Sequence, residues 1–331
     1  MAPGPLGSET GVPASRAGAA GLASLVELAV GEMHLALAPE IGGSIARLSR
    51  RWRQDGVVRE FHWLRPASAA ALADRNPLGM ASFPLVPFCN RIRDGRASFE
   101  GRDIRFPPNH PSDPSPHPLH GIGWLRPWTL EQVTDHSAEL GLVVPASPAW
   151  PWHFSARQHF ALGPQGLSVA MAITNDDTAA MPAGIGHHPY FLRTPGTRLT
   201  TQADAMWHAD AEVLPTHLGP HPALGQLRSG VEIDTLNLDN NFTGWSREAL
   251  VEWGGDALGP PRRMRLSAQA PLDYFVLYCP PGLDHFCAEP VSQCTDWLNL
   301  LPAHGAGPLG GARLAPGESL QARFTLAAEW S

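Results

Sequence analysis

The chain has 331 residues, a formal net charge of −7 and 43% hydrophobic residues, enough apolar material for a substantial core and an acidic balance that argues against nucleic acid as a partner. All 24 of its Lys and Arg residues are arginine, which excludes Schiff-base aldolases, pyridoxal-phosphate enzymes, Walker-type nucleotide hydrolases and kinases that use a strand lysine. The 33 Gly and 34 Pro residues, about a fifth of the chain, favour a turn-rich β protein over a helical bundle.

The first 23 residues are small and polar. They lack the basic start and the roughly 7–15-residue apolar stretch of a signal peptide, and are expected to form a flexible segment ahead of a single domain over residues 24–331. From Leu25 onward the apolar period is close to two, as in Met33-His34-Leu35-Ala36-Leu37 and Ser44-Ile45-Ala46-Arg47-Leu48, which predicts half-buried strands. Ala67 to Ala73 reads as a short helix. Near residue 100 a hairpin is predicted, with Glu100-Gly101-Arg102 between Ala97-Ser98-Phe99 and Asp103-Ile104-Arg105-Phe106. Leu140 to Val144 is a further strand. A second hairpin joins Ser155–Leu162 to Leu167–Thr174 through Gly163-Pro164-Gln165-Gly166. Ala209 to Val213 is a second helix candidate. Tyr274 to Cys279, His285 to Glu289 and Leu320 to Trp330 complete the strands. The Pro-rich stretches 106–118 and 145–151 are expected as surface loops. Closely spaced strands without intervening long helices predict an all-β antiparallel sandwich rather than a βαβ fold. No run of about 18 apolar residues is present, so no membrane partner is expected. Cys89, Cys279, Cys287 and Cys294 have no CxxC spacing and read as reduced thiols. These features together lead to an expected cytoplasmic location. Nothing in the sequence fixes an oligomeric state.

Four segments combine titratable or amide side chains with Gly, Pro or aromatic neighbours. They are Phe88-Cys89-Asn90-Arg91-Ile92-Arg93, His117-Pro118-Leu119-His120-Gly121, Gly186-His187-His188-Pro189-Tyr190-Phe191 and Cys287-Ala288-Glu289-Pro290. No HExxH or paired-Cys spacing points to a metal, and adjacent His187 and His188 would face opposite sides of a strand. Glu289 lies in an apolar strand pattern. Partial burial would raise its pKa towards that of a general base, and the alternative is an exposed, inert edge residue. His188 is held extended by Pro189, with Tyr190 and Phe191 available to wall a pocket; it is either a proton donor or a hydrogen-bonded core histidine. Asn90 and Arg91 offer an amide and a fork of donors suited to hydroxyls or a carboxylate. Asp239-Asn240-Asn241-Phe242 either orients a polyol or forms an Asx turn. Trp124, Trp128, Trp150, Trp152 and Trp245 offer flat faces for a sugar or for the core.

Taken in order, these segments resemble the aldose 1-epimerase (mutarotase) family over about Leu25 to Trp330. The likeness rests on Asn90-Arg91-Ile92 with Gly95 and the Gly101 hairpin, then on His117-Pro118-Leu119-His120-Gly121. It continues through Met181-Pro182, His188-Pro189-Tyr190-Phe191, Asp239 with Phe242, Glu289-Pro290 and Leu314-Ala315-Pro316-Gly317-Glu318. The resemblance implies a large antiparallel β-sandwich of the galactose mutarotase type that interconverts the anomers of a free aldose with no cofactor and no metal. It implies Glu289 as general base and His188 as general acid, with Arg91, His120, Asp239 and, more loosely, Asn90 holding the sugar. Here the aspartate segment reads Asp-Asn-Asn-Phe where the family more often has Asp-His-x-Phe, which leaves the choice of sugar open. A hexose-6-phosphate mutarotase, which would want an arginine cluster such as Arg91, Arg93, Arg96 and Arg126, and a non-catalytic sugar-binding domain are the alternatives. The acid and base are expected to face each other across a hollow about as wide as a pyranose, with a nearby carboxylate keeping the histidine protonated.

Overall fold

The computed structural model describes residues 23–255 and 259–330. The expected flexible start falls outside these residues but for Ala23, which is buried. Two large sheets dominate. The nine-stranded sheet is built around the hairpin Phe154–Gly163/Gly166–Asn175, continued on one side by Ser319–Trp330 and Arg262–Ala268 and on the other by Ser137–Val144. The eight-stranded sheet runs through Ala205–Ala209, Asp239–Thr243, Tyr274–Tyr278 and His285–Val291, with Tyr190–Leu192 paired to the last of these. A four-stranded sheet over Val26–His62 precedes them. The ladders between these strands are antiparallel, as the period-two pattern predicts.

Strand burial follows the sequence. Phe154–Gly163 alternates inward and outward residues along its length, so one face meets the core and the other water. His285–Val291 is buried at every position, in keeping with a strand covered on both faces. One apolar cluster draws on both large sheets and takes in Trp124, Trp128, Trp150, Trp152 and Trp245; these five therefore pack the core and offer no face to the cleft described below. At the first predicted hairpin Phe99 pairs with Arg102, and Glu100 and Gly101 both have positive φ, 46° and 82°, the geometry that a two-residue turn needs to match strand twist.

The helix expectation holds for one segment of two. Ala69–Ala73 is helical, with the Ser68 hydroxyl accepting the Ala71 N–H at 3.0 Å. Ala209–Val213 is not helical. The strand Ala205–Ala209 ends in a turn in which the Asp210 carboxylate accepts the N–H groups of Glu212 and Leu214 and Val213 takes φ 61°; the aspartate supplies local acceptors that compete with helix formation. Helices form instead at Pro222–Ser229 and Trp297–His304. All four cysteines are buried and free. Among the described residues no helix is long and apolar enough to cross a membrane.

Candidate active site

Strand register brings the two central groups together. Gly186 pairs with Val291 and Tyr190 with Cys287, and the position midway between those pairs sets His188 opposite Glu289. Pro189 and Pro290 remove ladder donors there, and the His188 N–H instead donates to the Phe83 carbonyl at 3.0 Å. The same register extends sideways. Asp239 lies opposite Tyr278, which lies opposite Cys287, which lies opposite Tyr190, so these four share one face of the sheet. Residues 285, 287 and 289 alternate onto that face.

On that face lies a cleft of about 390 Å3, lined by Asn90, Arg91, His120, His188, Asp239 and Glu289. All six residues singled out in the sequence therefore meet in one place. His188 Nε2 stands 3.3 Å from Glu289 Oε1. The pair is in contact rather than on opposite walls, a correction to the expected pyranose-wide separation that follows from their cross-strand positions. The neighbouring His187 points the other way, its Nδ1 bonded to the Ser82 hydroxyl and its Nε2 to Gln158 at 3.2 Å.

The His188 ring is held by aromatic neighbours. It stacks on Tyr190 at 4.6 Å between centroids and lies 4.7 Å from Phe83, which stacks in turn on Trp124. Arg65 covers the Tyr190 ring at 4.2 Å and donates to the Leu78 and Met80 carbonyls. Of the predicted aromatic wall only Tyr190 faces the cleft; Phe191 is buried against Phe286.

Asn90 and His120 belong to two loops stitched together. The Asn90 N–H donates to His120 Nδ1 at 3.1 Å and the His120 N–H donates to the Asn90 carbonyl at 2.9 Å. Both residues have φ near +57°, and Gly121 follows at +71°, where a Cβ would run into the Val86 carbonyl. Because Nδ1 accepts, the neutral His120 ring carries its proton on Nε2. The Asn90 side-chain oxygen accepts from the Arg91 backbone N–H and guanidinium, and Arg91 Nη1 lies 3.9 Å from Asp239 Oδ2. Asp239 begins a strand, not an Asx turn.

Burial sets the charge states. It pushes Glu289 well above the usual carboxylate range, with the Asp239 charge adding to the rise and Arg91 opposing it. Burial lowers His188 to about 3 and holds His120 well below 6.5. The expectation that a carboxylate keeps His188 charged is thus corrected: desolvation dominates, and burial favours a neutral imidazole beside a protonated carboxyl.

Sequence reading missed Arg65, His110, Asp113, Tyr278 and His285 in the lining. His285 had a usable signal, its even spacing from Glu289. Arg65 had none, since it reaches Tyr190 only through the tertiary fold. Of the arginines weighed for a phosphate, Arg91 lines the cleft whereas Arg93, Arg96 and Arg126 are absent from its lining.

The chain matches the aldose 1-epimerase family model over residues 25–327. It is 31% identical over 292 residues to the uncharacterized protein YphB of Escherichia coli strain K12, covering 84% of this chain and 94% of that one. A crystal structure of a candidate aldose 1-epimerase from Escherichia coli K12 superposes with a TM-score of 0.79 at 26% identity, over 93% of this chain and 99% of that one. A galactose mutarotase-like protein from Clostridium acetobutylicum gives 0.77 at 21% identity, over 93% and 95%. The matched span takes in every residue of the cleft, and the chain belongs to the aldose 1-epimerase family.

Proposed function

We propose that the protein is an aldose 1-epimerase that interconverts the α and β anomers of a free aldose. The observation that carries this reading is the 3.3 Å contact between His188 Nε2 and Glu289 Oε1 on a cleft that Asn90, Arg91, His120 and Asp239 also line. The anomeric hydroxyl O1 and the ring oxygen are bonded to the same carbon, so an acid and a base that serve both must sit side by side.

Glu289 takes the proton from O1 while His188 protonates the ring oxygen, and the C1–ring oxygen bond breaks to give the open-chain aldehyde. Rotation about C1–C2 presents the other carbonyl face; the ring oxygen then adds to C1, His188 takes back its proton and Glu289 returns one to O1. The pair begins and ends with one proton. In the ligand-free cleft that proton rests on Glu289; an O1 hydroxyl that donates to the carboxyl favours the carboxylate–imidazolium form, which carries the same count. Each positioned acid or base contributes about 10²–10⁴-fold, sufficient for a reaction that proceeds slowly in water unaided.

Arg91, Asp239, Asn90 and the His120 Nε2–H supply donors and acceptors for the sugar hydroxyls. The test is polarimetry of freshly dissolved α-D-galactose, α-D-glucose, arabinose and xylose, with glucose 6-phosphate for comparison. Acceleration of one or more free sugars above the spontaneous rate is expected. No acceleration of any of them overturns the proposal, and acceleration of the phosphate alone moves it to the sugar-phosphate class.

A further inference from the structure

We propose that the cleft is also an inhibitory site for a soft divalent cation, with zinc as the probe, ligated by His188, Cys287 and Glu289. The inference rests on the reading of His188 and Glu289 as the acid–base pair. Among the described residues these three form a group with ligand atoms all within 4.8 Å of one another. Tetrahedral zinc with bonds of about 2.0–2.3 Å to N, O and S sets its donors roughly 3.3–3.7 Å apart. The imidazole and carboxylate already stand at 3.3 Å, so the remaining closure, from at most 4.8 Å to the zinc spacing, is on the order of 1 Å.

Two further features point the same way. His188 Nδ1 and Glu289 Oε2 are buried atoms without a hydrogen-bond partner, so neither side chain is tied down by a competing bond at those atoms. Charge also balances. The Cys287 thiol gives up its proton and the pair gives up the one it shares, two protons in all, leaving a thiolate, a carboxylate and a neutral imidazole around a 2+ ion. The site is then neutral, which lessens the cost of burying charge. His188 and Glu289 line the cleft while Cys287 is fully buried, so a metal held by all three occupies the groups that the sugar needs.

The experiment uses the full chain, reduced and stripped of metal with a chelator. Cobalt(II) titration is expected to give a near-ultraviolet thiolate-to-cobalt band that saturates at one equivalent and is bleached by zinc. Zinc is expected to slow polarimetric anomerisation over the same concentration range, with excess galactose protecting. Cys287→Ser keeps the metal-free rate, loses the band and loses zinc sensitivity by more than the 10–100-fold typical of outer-sphere partners; Cys287→Ala is the second variant should the serine disturb folding. Surface histidines such as His208, His217 and His221 can bind cobalt but give no thiolate band. No band, a Cys287→Ser protein as zinc-sensitive as wild type, or a zinc-stimulated rate overturns the proposal. A stripped protein with no anomerase activity instead defeats the mutarotase reading, while the cobalt band still reports on the site.

Discussion

Glu289→Gln keeps the side chain's volume beside His188 but cannot ionise, and its effects divide into a rate and a stability. Loss of a positioned base costs about 10²–10⁴ in turnover, or about 2.7–5.5 kcal/mol of barrier. Stability follows from counting protons. The folded pair holds one proton from about pH 3 up to the raised Glu289 value. In the unfolded chain, with ordinary values of 4.5 and 6.5, the same groups hold two protons below pH 4.5, one between 4.5 and 6.5, and none above. Stability rises with pH only where the unfolded chain holds more protons. The wild-type pair therefore supports the fold best between pH 4.5 and 6.5. Its contribution falls as the pH drops towards 3, and falls again above 6.5 with a slope approaching about 1.4 kcal/mol per pH unit. In the variant only His188 titrates, and its contribution rises up to pH 6.5 and is level above it. The variant should thus gain on wild type as the pH rises above 6.5, for as long as burial keeps Glu289 protonated in the folded protein. Polarimetry and thermal melts at matched pH measure the two effects. An unchanged rate refutes the base role, and parallel Tm–pH curves above pH 6.5 refute the claim that burial keeps the proton on Glu289.

His188→Asn should lower kcat by about 10²–10⁴ with little change in KM, read from initial anomerisation rates; wild-type turnover would refute the acid role. Arg91→Ala removes the guanidinium beside Asp239 and should raise KM as well as lower kcat, reducing kcat/KM by about 10–150-fold if it donates one charged hydrogen bond to the sugar. Phe83→Ala empties a fully buried site that steadies the His188 ring, and should cost about 3–5 kcal/mol in denaturant unfolding. Chelator treatment should leave anomerisation unchanged, and a loss restored by zinc would overturn metal-free catalysis.

The strands and both hairpins were legible because a half-buried strand writes its burial into a period of two and a tight turn demands Gly at positive φ, as at Gly101 and Gly166. Trp297–His304 was not legible: it contains Pro302 and is held by tertiary packing rather than by local propensity. The candidate site was legible as residue types, and as a set only through the family resemblance. Its geometry was not. That His188 touches Glu289 depends on the pairing of Tyr190 with Cys287, a long-range register that no local pattern encodes, and that burial lowers His188 depends on Phe83 and Tyr190 closing around it.

The same register explains why the pair can be reactive without being mobile. A buried donor or acceptor left without a partner costs about 1–3 kcal/mol, and this site carries two such atoms, His188 Nδ1 and Glu289 Oε2, on adjoining side chains. Pro189 and Pro290 set the backbone on either strand, and the imidazole lies against Tyr190, which Arg65 covers in turn. Both unpartnered atoms adjoin the place where O1 and the ring oxygen would enter, and a hydroxyl donating to the carboxyl supplies hydrogen bonding there. Sugar binding should therefore stabilise wild type more than Glu289→Gln at pH 7, because only the wild-type pair exchanges a poorly solvated proton for new hydrogen bonds. Thermal shifts with and without saturating galactose measure this, and equal shifts in the two proteins would show that the energy of the buried pair is not spent on the substrate.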